Sequence, residues 1–284
     1  MIENKANSFR ANSATIDFFK MIIMKDLKSK TILITGASSG IGEAFAYQFA
    51  ELGANLIVVA RSESELQKVA NTVKEKYHVE CYPIVSDLAK ENAATELFEK
   101  TSSLNMDVDV LINNAGVGAI GKFEDYDLKR YHSLLLLNTI ALTELCWLYL
   151  PSMKKKNFGG IINVASTAAF LPLPYVAVYA ASKGYVLNFS ESIFGELLHT
   201  DVTVTCLCPS RTKTNFAKTA NSPFQNDKAK SSDSAENAAK IGIQAFLKGK
   251  STVVSGAQKF TVTILPRLLS RLGVIKLAAS QYKK

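Results

Sequence analysis

The segment TILITGASSGIGEAF, residues 31–45, sets a β-branched run directly against a glycine-rich turn and then an apolar pattern at helical spacing. TILIT (31–35) has the composition of a short buried strand. Gly36, Gly40 and Gly42 follow with the spacing GxxxGxG, and GEAFAYQFAEL (42–52) continues at a helical period. Such a turn presents bare backbone N–H groups at a helix N-terminus. Unsatisfied donors and the helix dipole both favour an anion there. Glycines in a loop also serve a tight βα turn. The place of these, between the first strand and the first helix, is what points to a pyrophosphate.

Outward from this stretch the same alternation repeats. NLIVVA (55–60) reads as a strand and ESELQKVANTVKEKY (63–77) as an amphipathic helix. ECYPIVSDL (80–88), DVLINNAG (109–116), GGIINVAS (159–166) and VTVTCLCP (202–209) supply further strands with helices between them, and STVVSG (251–256) reads as a seventh. Continuous apolar strands separated by helices imply a parallel sheet covered on both faces. The expected fold class is α/β: a single doubly wound, Rossmann-type domain over residues 24–257 with a mainly parallel seven-stranded sheet. Residues 1–23 are Asn- and Ser-rich and precede Met24. They are expected to form a flexible extension, and residues 258–284 a basic amphipathic tail.

Composition narrows the class of function. With 284 residues, 48% hydrophobic and 20% charged, the chain has the make-up of a soluble globular domain. Cys81, Cys146, Cys206 and Cys208 form no CxxC pair, and His78, His132 and His199 are scattered, so no metal site is expected. The cysteines read as reduced core residues of a cytoplasmic protein. The net charge of +8 is unevenly spread: from Asn237 onward there are nine Lys or Arg and no Asp or Glu. Aromatic residues are not interleaved with these cations as in a nucleic-acid groove, so nucleic acid is not expected as a partner. LLLLNTIALTELCWLYL (134–150) is interrupted by Asn138 and Glu144 and stops at Pro151, so no membrane span is expected. The N-terminal stretch lacks the pattern of a signal peptide.

The end of the second strand selects the dinucleotide. An acidic residue there would accept from a ribose 2′-hydroxyl and repel a 2′-phosphate. The sequence is VVARS, with Arg61 at that place and no carboxylate before Glu63. A guanidinium forms charge-assisted hydrogen bonds to phosphate, so NADP(H) is expected over NAD(H).

A second short stretch carries the chemistry. In VYAASKGYV (178–186), Tyr179 and Lys183 stand four apart, on one face of a helix. An ammonium beside a phenol is expected to stabilise the phenolate and bring its pKa down towards neutral pH.

Taken together these motifs resemble a short-chain dehydrogenase/reductase of the NADP-preferring subclass, from about Leu27 to Gly256. TGASSGIG (35–42) matches the family's cofactor turn, which implies contacts from Gly36, Ser38, Ser39, Gly40, Ile41 and Gly42. SDL (86–88) resembles the segment near the adenine, implicating Asp87 and Leu88. NNAG (113–116) matches the motif after the fourth strand, implicating Asn114, Ala115 and Gly116. Asn138, Ser166, Tyr179 and Lys183 fall on the family's catalytic tetrad. The resemblance implies Tyr179 as acid/base, Lys183 on the nicotinamide ribose, Ser166 on the substrate oxygen, and Asn138 holding a water of the proton relay. It also implies Thr212 near the nicotinamide amide and Thr214 near the phosphates. One motif departs: the family's PGxxxT is here PSRTKT, with Ser210 where glycine is usual.

The expected activity is NADP(H)-dependent interconversion of a carbonyl and an alcohol. AFLPLPYVAV (169–178) supplies an apolar wall before Tyr179, favouring a hydrophobic or acyl-type carbonyl. The polar segment 215–237 corresponds to the family's substrate lid. Relatives pair through the apolar helix 134–150 and the helix of Tyr179, so a homodimer or homotetramer is expected. The tail 260–284 is open to three readings: packing on its own domain or a partner subunit, peripheral contact with the inner membrane surface, or enclosure of an acyl substrate. The alternative to an enzyme is a non-catalytic NADP(H)-binding regulatory or scaffold protein with a membrane-surface tail.

Overall fold

Each central strand is buried on both faces, and this dictates the layering. In a computed structural model of the chain, which describes residues 26–214, 216, 220, 233–257 and 259–280, β1 (Thr31–Thr35) is buried at every position. Successive residues point to opposite faces. Ile32 and Ile34 join one core with Phe45, Phe49, Leu66 and Phe246, while Leu33 joins another with Leu97, Leu145, Tyr149 and Val186. Helices α1 (Gly40–Glu51), α2 (Glu63–Tyr77) and α6 (Ala235–Leu247) cover the first face. Helices α3 (Ala93–Ser103), α4 (Leu128–Lys156) and α5 (Ala177–Glu196) cover the second.

The remaining strands are β2 (Asn55–Ala60), β3 (Cys81–Val85), β4 (Val110–Asn113), β5 (Gly160–Val164), β6 (Thr203–Pro209) and β7 (Thr252–Ser255). All seven pair in parallel in the order β3-β2-β1-β4-β5-β6-β7. The expected doubly wound sheet is therefore present, and it is parallel throughout. Pro83 is tolerated in β3 because that strand is at the edge. The winding reverses between β1 and β4, so the carboxyl ends of these two strands open the crevice where ligands bind in such sheets.

One expectation changes. Pro151 does not end the apolar helix, which runs on to Lys156. Among the described residues, α4 is thus the one helix long and apolar enough to cross a membrane by length and composition alone, and half of its most apolar window is buried in the domain. Leu142, Leu145, Cys146, Tyr149 and Met153 face the sheet, as in a core helix. After β7 the tail forms α7 (Lys259–Thr263), α8 (Leu265–Leu268) and α9 (Arg271–Ser280). The expected extension 1–23 and most of the expected lid, 215–237, lie outside the described residues.

Phe246 anchors the first core from α6, fully buried beside Gly160, whose bare Cα makes room for its ring. Phe246→Ala is expected to lower stability by ~3–5 kcal/mol in urea unfolding, through lost burial and the cavity left behind.

Candidate active site

The crevice is held open by a clasp between the ends of β1 and β4. Asn114 donates from Nδ2 to the carbonyls of Thr35 (2.9 Å) and Gly36 (3.1 Å). The Thr35 hydroxyl accepts from the backbone N–H groups of Asn114 and Ala115, both at 3.0 Å. A Cβ at Gly36 would stand 2.8 Å from Asn114 Nδ2, and one at Gly42 would stand 2.2 Å from the Gly36 carbonyl oxygen. Gly36 and Gly40 also adopt φ of +65° and +61°, which side chains disfavour. Only glycine meets these conditions, so the turn between β1 and α1 is a bare-backbone cradle.

At the start of α1 the Ser39 side chain makes no cap bond, so it does not take up the first helical N–H groups. Lys213 and Thr214 line a cleft with Ser39, Gly40 and Glu43, and Thr214 Cγ2 lies 2.9 Å from where a Gly40 Cβ would be. The bare backbone of the turn, Lys213 and Thr214 suit a pyrophosphate, although the cleft also carries the carboxylates of Glu43, Glu51 and Glu236. Ser38 and Ile41 are in the same turn. Arg61 is exposed one residue beyond β2 and shares a groove with Ser86, Asp87 and Lys90. Asp87 Oδ1 accepts from Ala89 N–H at 3.2 Å, and Leu88 is buried beneath. The groove carries three cations, Arg61, Lys90 and Lys100, with three carboxylates, Asp87, Glu91 and Glu96, and Arg61 is the cation that directly follows β2.

The four predicted catalytic residues converge from three elements. Asn138 lies in a π turn, Leu136–Ala141, within α4. Such turns displace the local backbone and recur at functional sites. Its Oδ1 accepts from Val117 N–H, and its Nδ2 donates to Val117 O and Ser182 Oγ, each at 3.0 Å. The amide is therefore fully engaged and pins the loop after β4 onto α5. Lys183 Nζ donates to Val164 O at 2.8 Å, and Gly116 lets it approach: a Cβ there would be 3.3 Å from Nζ and 3.2 Å from Asn138 Oδ1. Ser166 Oγ accepts from Ala168 N–H at 3.1 Å, opening a 3₁₀ turn at Thr167–Phe170, and its hydroxyl is near enough to Tyr179 to favour the phenolate.

The electrostatics differ from the sequence expectation. Lys183 Nζ lies 5.9 Å from the Tyr179 ring centre, and it does not lower the phenol. Burial pushes Tyr179 up to about 12, the Ser166 hydroxyl opposing and the Cys208 thiol adding slightly. Burial also brings Lys183 down to about 8, despite the nearby Cys206 and Cys208. Lys183 is buried and Tyr179 half-buried, and desolvation is the largest influence on each in the cofactor-free protein.

Other parts were not anticipated. Thr35, Ser182 and Phe216 each hold or cover a predicted residue, the Phe216 ring standing 5.4 Å from that of Tyr179. Beneath the site, Asn113 donates to Asn163 Oδ1 and Asn163 to Ser190 Oγ, both at 3.0 Å. An Asn inside an apolar strand needs buried partners, and that was a usable signal. Ser182 carried none, because Ser in YAASK is as ordinary on a surface. Thr212 donates to Ser210 O at 2.8 Å, and Ser210 replaces glycine without breaking the turn, its N–H bonding Ser255 O at 3.2 Å. The thiols of Cys206 and Cys208 lie on one face of β6, 3.8 Å apart, buried and free.

Residues 30–224 match the family model for short chain dehydrogenases. The chain belongs to this family. Among relatives of this short-chain dehydrogenase, Ketoacyl reductase HetN of Nostoc sp. is 31% identical over 252 residues, 89% of this chain and 87% of its own. Very-long-chain 3-oxoacyl-CoA reductase of Rattus norvegicus is 28% identical over 242 residues, covering 83% and 75% respectively. A short-chain dehydrogenase from Sphingobium yanoikuyae solved in complex with NADPH superposes with a TM-score of 0.75 at 25% identity, covering 90% of this chain and 96% of that one.

Between the folded value near 8 and the ordinary 10.5, the unfolded chain holds a proton on Lys183 that the folded site has released. Stability from this group therefore rises with pH across that window. In urea unfolding without cofactor, the stability difference between wild type and Lys183→Met should shift towards wild type from pH 8 to pH 10. A pH-independent difference would contradict the burial of a titrating amine.

Proposed function

We propose that the protein is an NADPH-dependent carbonyl reductase acting on a hydrophobic, acyl-type substrate, with Tyr179 as proton donor. The observation that carries this is the placing of the Tyr179 phenol, raised by desolvation and near the Ser166 hydroxyl, with Lys183 Nζ 5.9 Å from its ring centre. NADPH supplies the hydride. An alkoxide formed at the carbonyl carbon's oxygen is a much stronger base than a phenolate, so even a phenol near 12 delivers its proton downhill. Oxidation of an alcohol needs the phenolate, which burial opposes, so the arrangement favours reduction at neutral pH.

Each tetrad member then has a defined task. Ser166 orients the substrate oxygen through its hydroxyl. Lys183, with a value near 8, is mostly cationic at neutral pH, is held by Val164 O and would bind the nicotinamide ribose. Asn138 holds the loop of Val117 and keeps Gly116 against Lys183. Gly36, Ser38, Ser39, Gly40, Ile41, Gly42 and Thr214 hold the pyrophosphate, and Arg61 the 2′-phosphate. Asp87 and Leu88 border the adenine, while Asn114, Ala115, Gly116 and Thr212 border the nicotinamide side. The printed activities of the Nostoc and rat relatives support a 3-oxoacyl type of substrate, as does the apolar run 169–178.

The partner of the outer α4–α5 face is a second copy of the chain, in a homodimer or homotetramer. Trp147 is 75% exposed there, with Ile140 and Tyr185 also open to solvent. The enzyme works in the cytoplasm, with residues 260–284 making peripheral contact with a membrane.

Tyr179→Phe is expected to cut NADPH oxidation with a 3-oxoacyl thioester at least a thousandfold while leaving NADPH affinity within about twofold; retained turnover removes Tyr179 from the mechanism. Arg61→Ala should raise the KM for NADPH at least tenfold and leave that for NADH nearly unchanged, as expected for loss of a charge-assisted phosphate contact. Equal effects on both cofactors would refute the 2′-phosphate assignment.

A further inference from the structure

We infer that the C-terminal helices form a docking plate for an anionic lipid bilayer, and that the plate sets the mouth of the active site against that surface. The observations begin with how the segment is anchored. Val262 of α7 is buried in the second core, and α7 packs against Thr167–Phe170, the turn that directly follows Ser166. Val274 and Ala278 are the buried residues of α9. α7 is thus fixed to the domain beside Ser166, and α9 buries only a narrow apolar strip.

Its outer side is not what a water-facing helix presents. Leu268 is 74% exposed, Leu272 60% and Leu277 49%, with Ile264 and Leu269 also open. The polar residues interspersed with them include Arg271 and Lys276, both exposed. Surface helices ordinarily turn charged residues of both signs outward and bury their leucines. Here apolar residues occupy both the inner and the outer side, and no acidic residue occurs from Asn237 to the end. Leucines at the acyl boundary with cations reaching back to the headgroups are the arrangement of an interfacial helix. Each such cation is also drawn to anionic lipid.

A second copy of the chain fits this face less well. A two-fold contact sets the same patch against itself, and this patch would oppose cation to cation with no carboxylate of its own to intervene. The charge pattern is complementary to a negative surface. Because α7 adjoins the turn after Ser166, a bound bilayer lies next to the substrate opening, so a lipid-like carbonyl compound can pass from membrane to site without crossing water. This last step, unlike the docking itself, rests on the reading of the substrate as hydrophobic.

The test is co-sedimentation of the full-length protein with phosphatidylcholine vesicles, with and without phosphatidylserine. Binding is expected only with phosphatidylserine, to weaken about tenfold in Arg271→Gln/Lys276→Gln, and to weaken comparably in Leu268→Ser/Leu272→Ser. Both variants should reduce a water-soluble ketone with NADPH at the wild-type rate, since neither touches the tetrad or the cofactor turn. Wild-type protein that fails to sediment with phosphatidylserine, or variants that sediment as wild type does, would overturn the inference. So would a changed sedimentation-velocity mass in Leu268→Ser/Leu272→Ser with unchanged vesicle binding, which would assign the face to a second copy. Vesicle binding without reduction of any ketone or 3-oxoacyl thioester would leave the docking plate standing and refute the proposed reaction instead.

Discussion

The close approach of β1 and β4 at their carboxyl ends is the constraint on which the site depends. Thr35, Gly36 and Asn114 are tied together so tightly that side chains at Gly36 and Gly42 are sterically excluded. That contact creates the crevice, aims the start of α1 into it and fixes where the loop after β4 begins. The loop in turn carries Gly116 to Lys183 and Val117 to Asn138. Cofactor cradle and catalytic group are therefore one connected structure, joined through a few backbone carbonyls rather than through side-chain packing alone.

Desolvation governs the chemistry that this frame allows. Lys183 is almost wholly buried, with a backbone carbonyl as its hydrogen-bond partner. A phenol and an amine sharing a dry site do not simply help each other ionise; each loses hydration, and each is pushed towards its neutral form. The result is a protonated Tyr179 and a Lys183 poised close to neutral pH. For a proton donor to a nascent alkoxide, that is the useful state.

The fold was legible because its signals are local and repeated. Buried parallel strands must be apolar throughout, and TILIT, NLIVVA and VTVTCLCP announce themselves in that way. The shared face of Tyr179 and Lys183 was legible for a different reason: spacing on a helix survives folding. Pro151 misled, since a proline late in a helix can be absorbed when the surrounding turns are held by core packing. Ser182, Thr35 and Phe216 were missed because their importance lies in what they touch. Ser and Thr are common everywhere, and nothing along the chain reveals that Ser182 receives the Asn138 amide.

The sequence by itself determined a doubly wound α/β domain, a glycine cradle for a phosphorylated cofactor and the family to which the chain belongs. Periodicity and motif spacing encode these directly, without reference to distant contacts. Only the tertiary structure decided the ionisation of Tyr179 and Lys183, the full engagement of Asn138 and the two apolar sides of the C-terminal helices. Those properties depend on burial, and burial is set by residues far apart in the chain that the fold brings together.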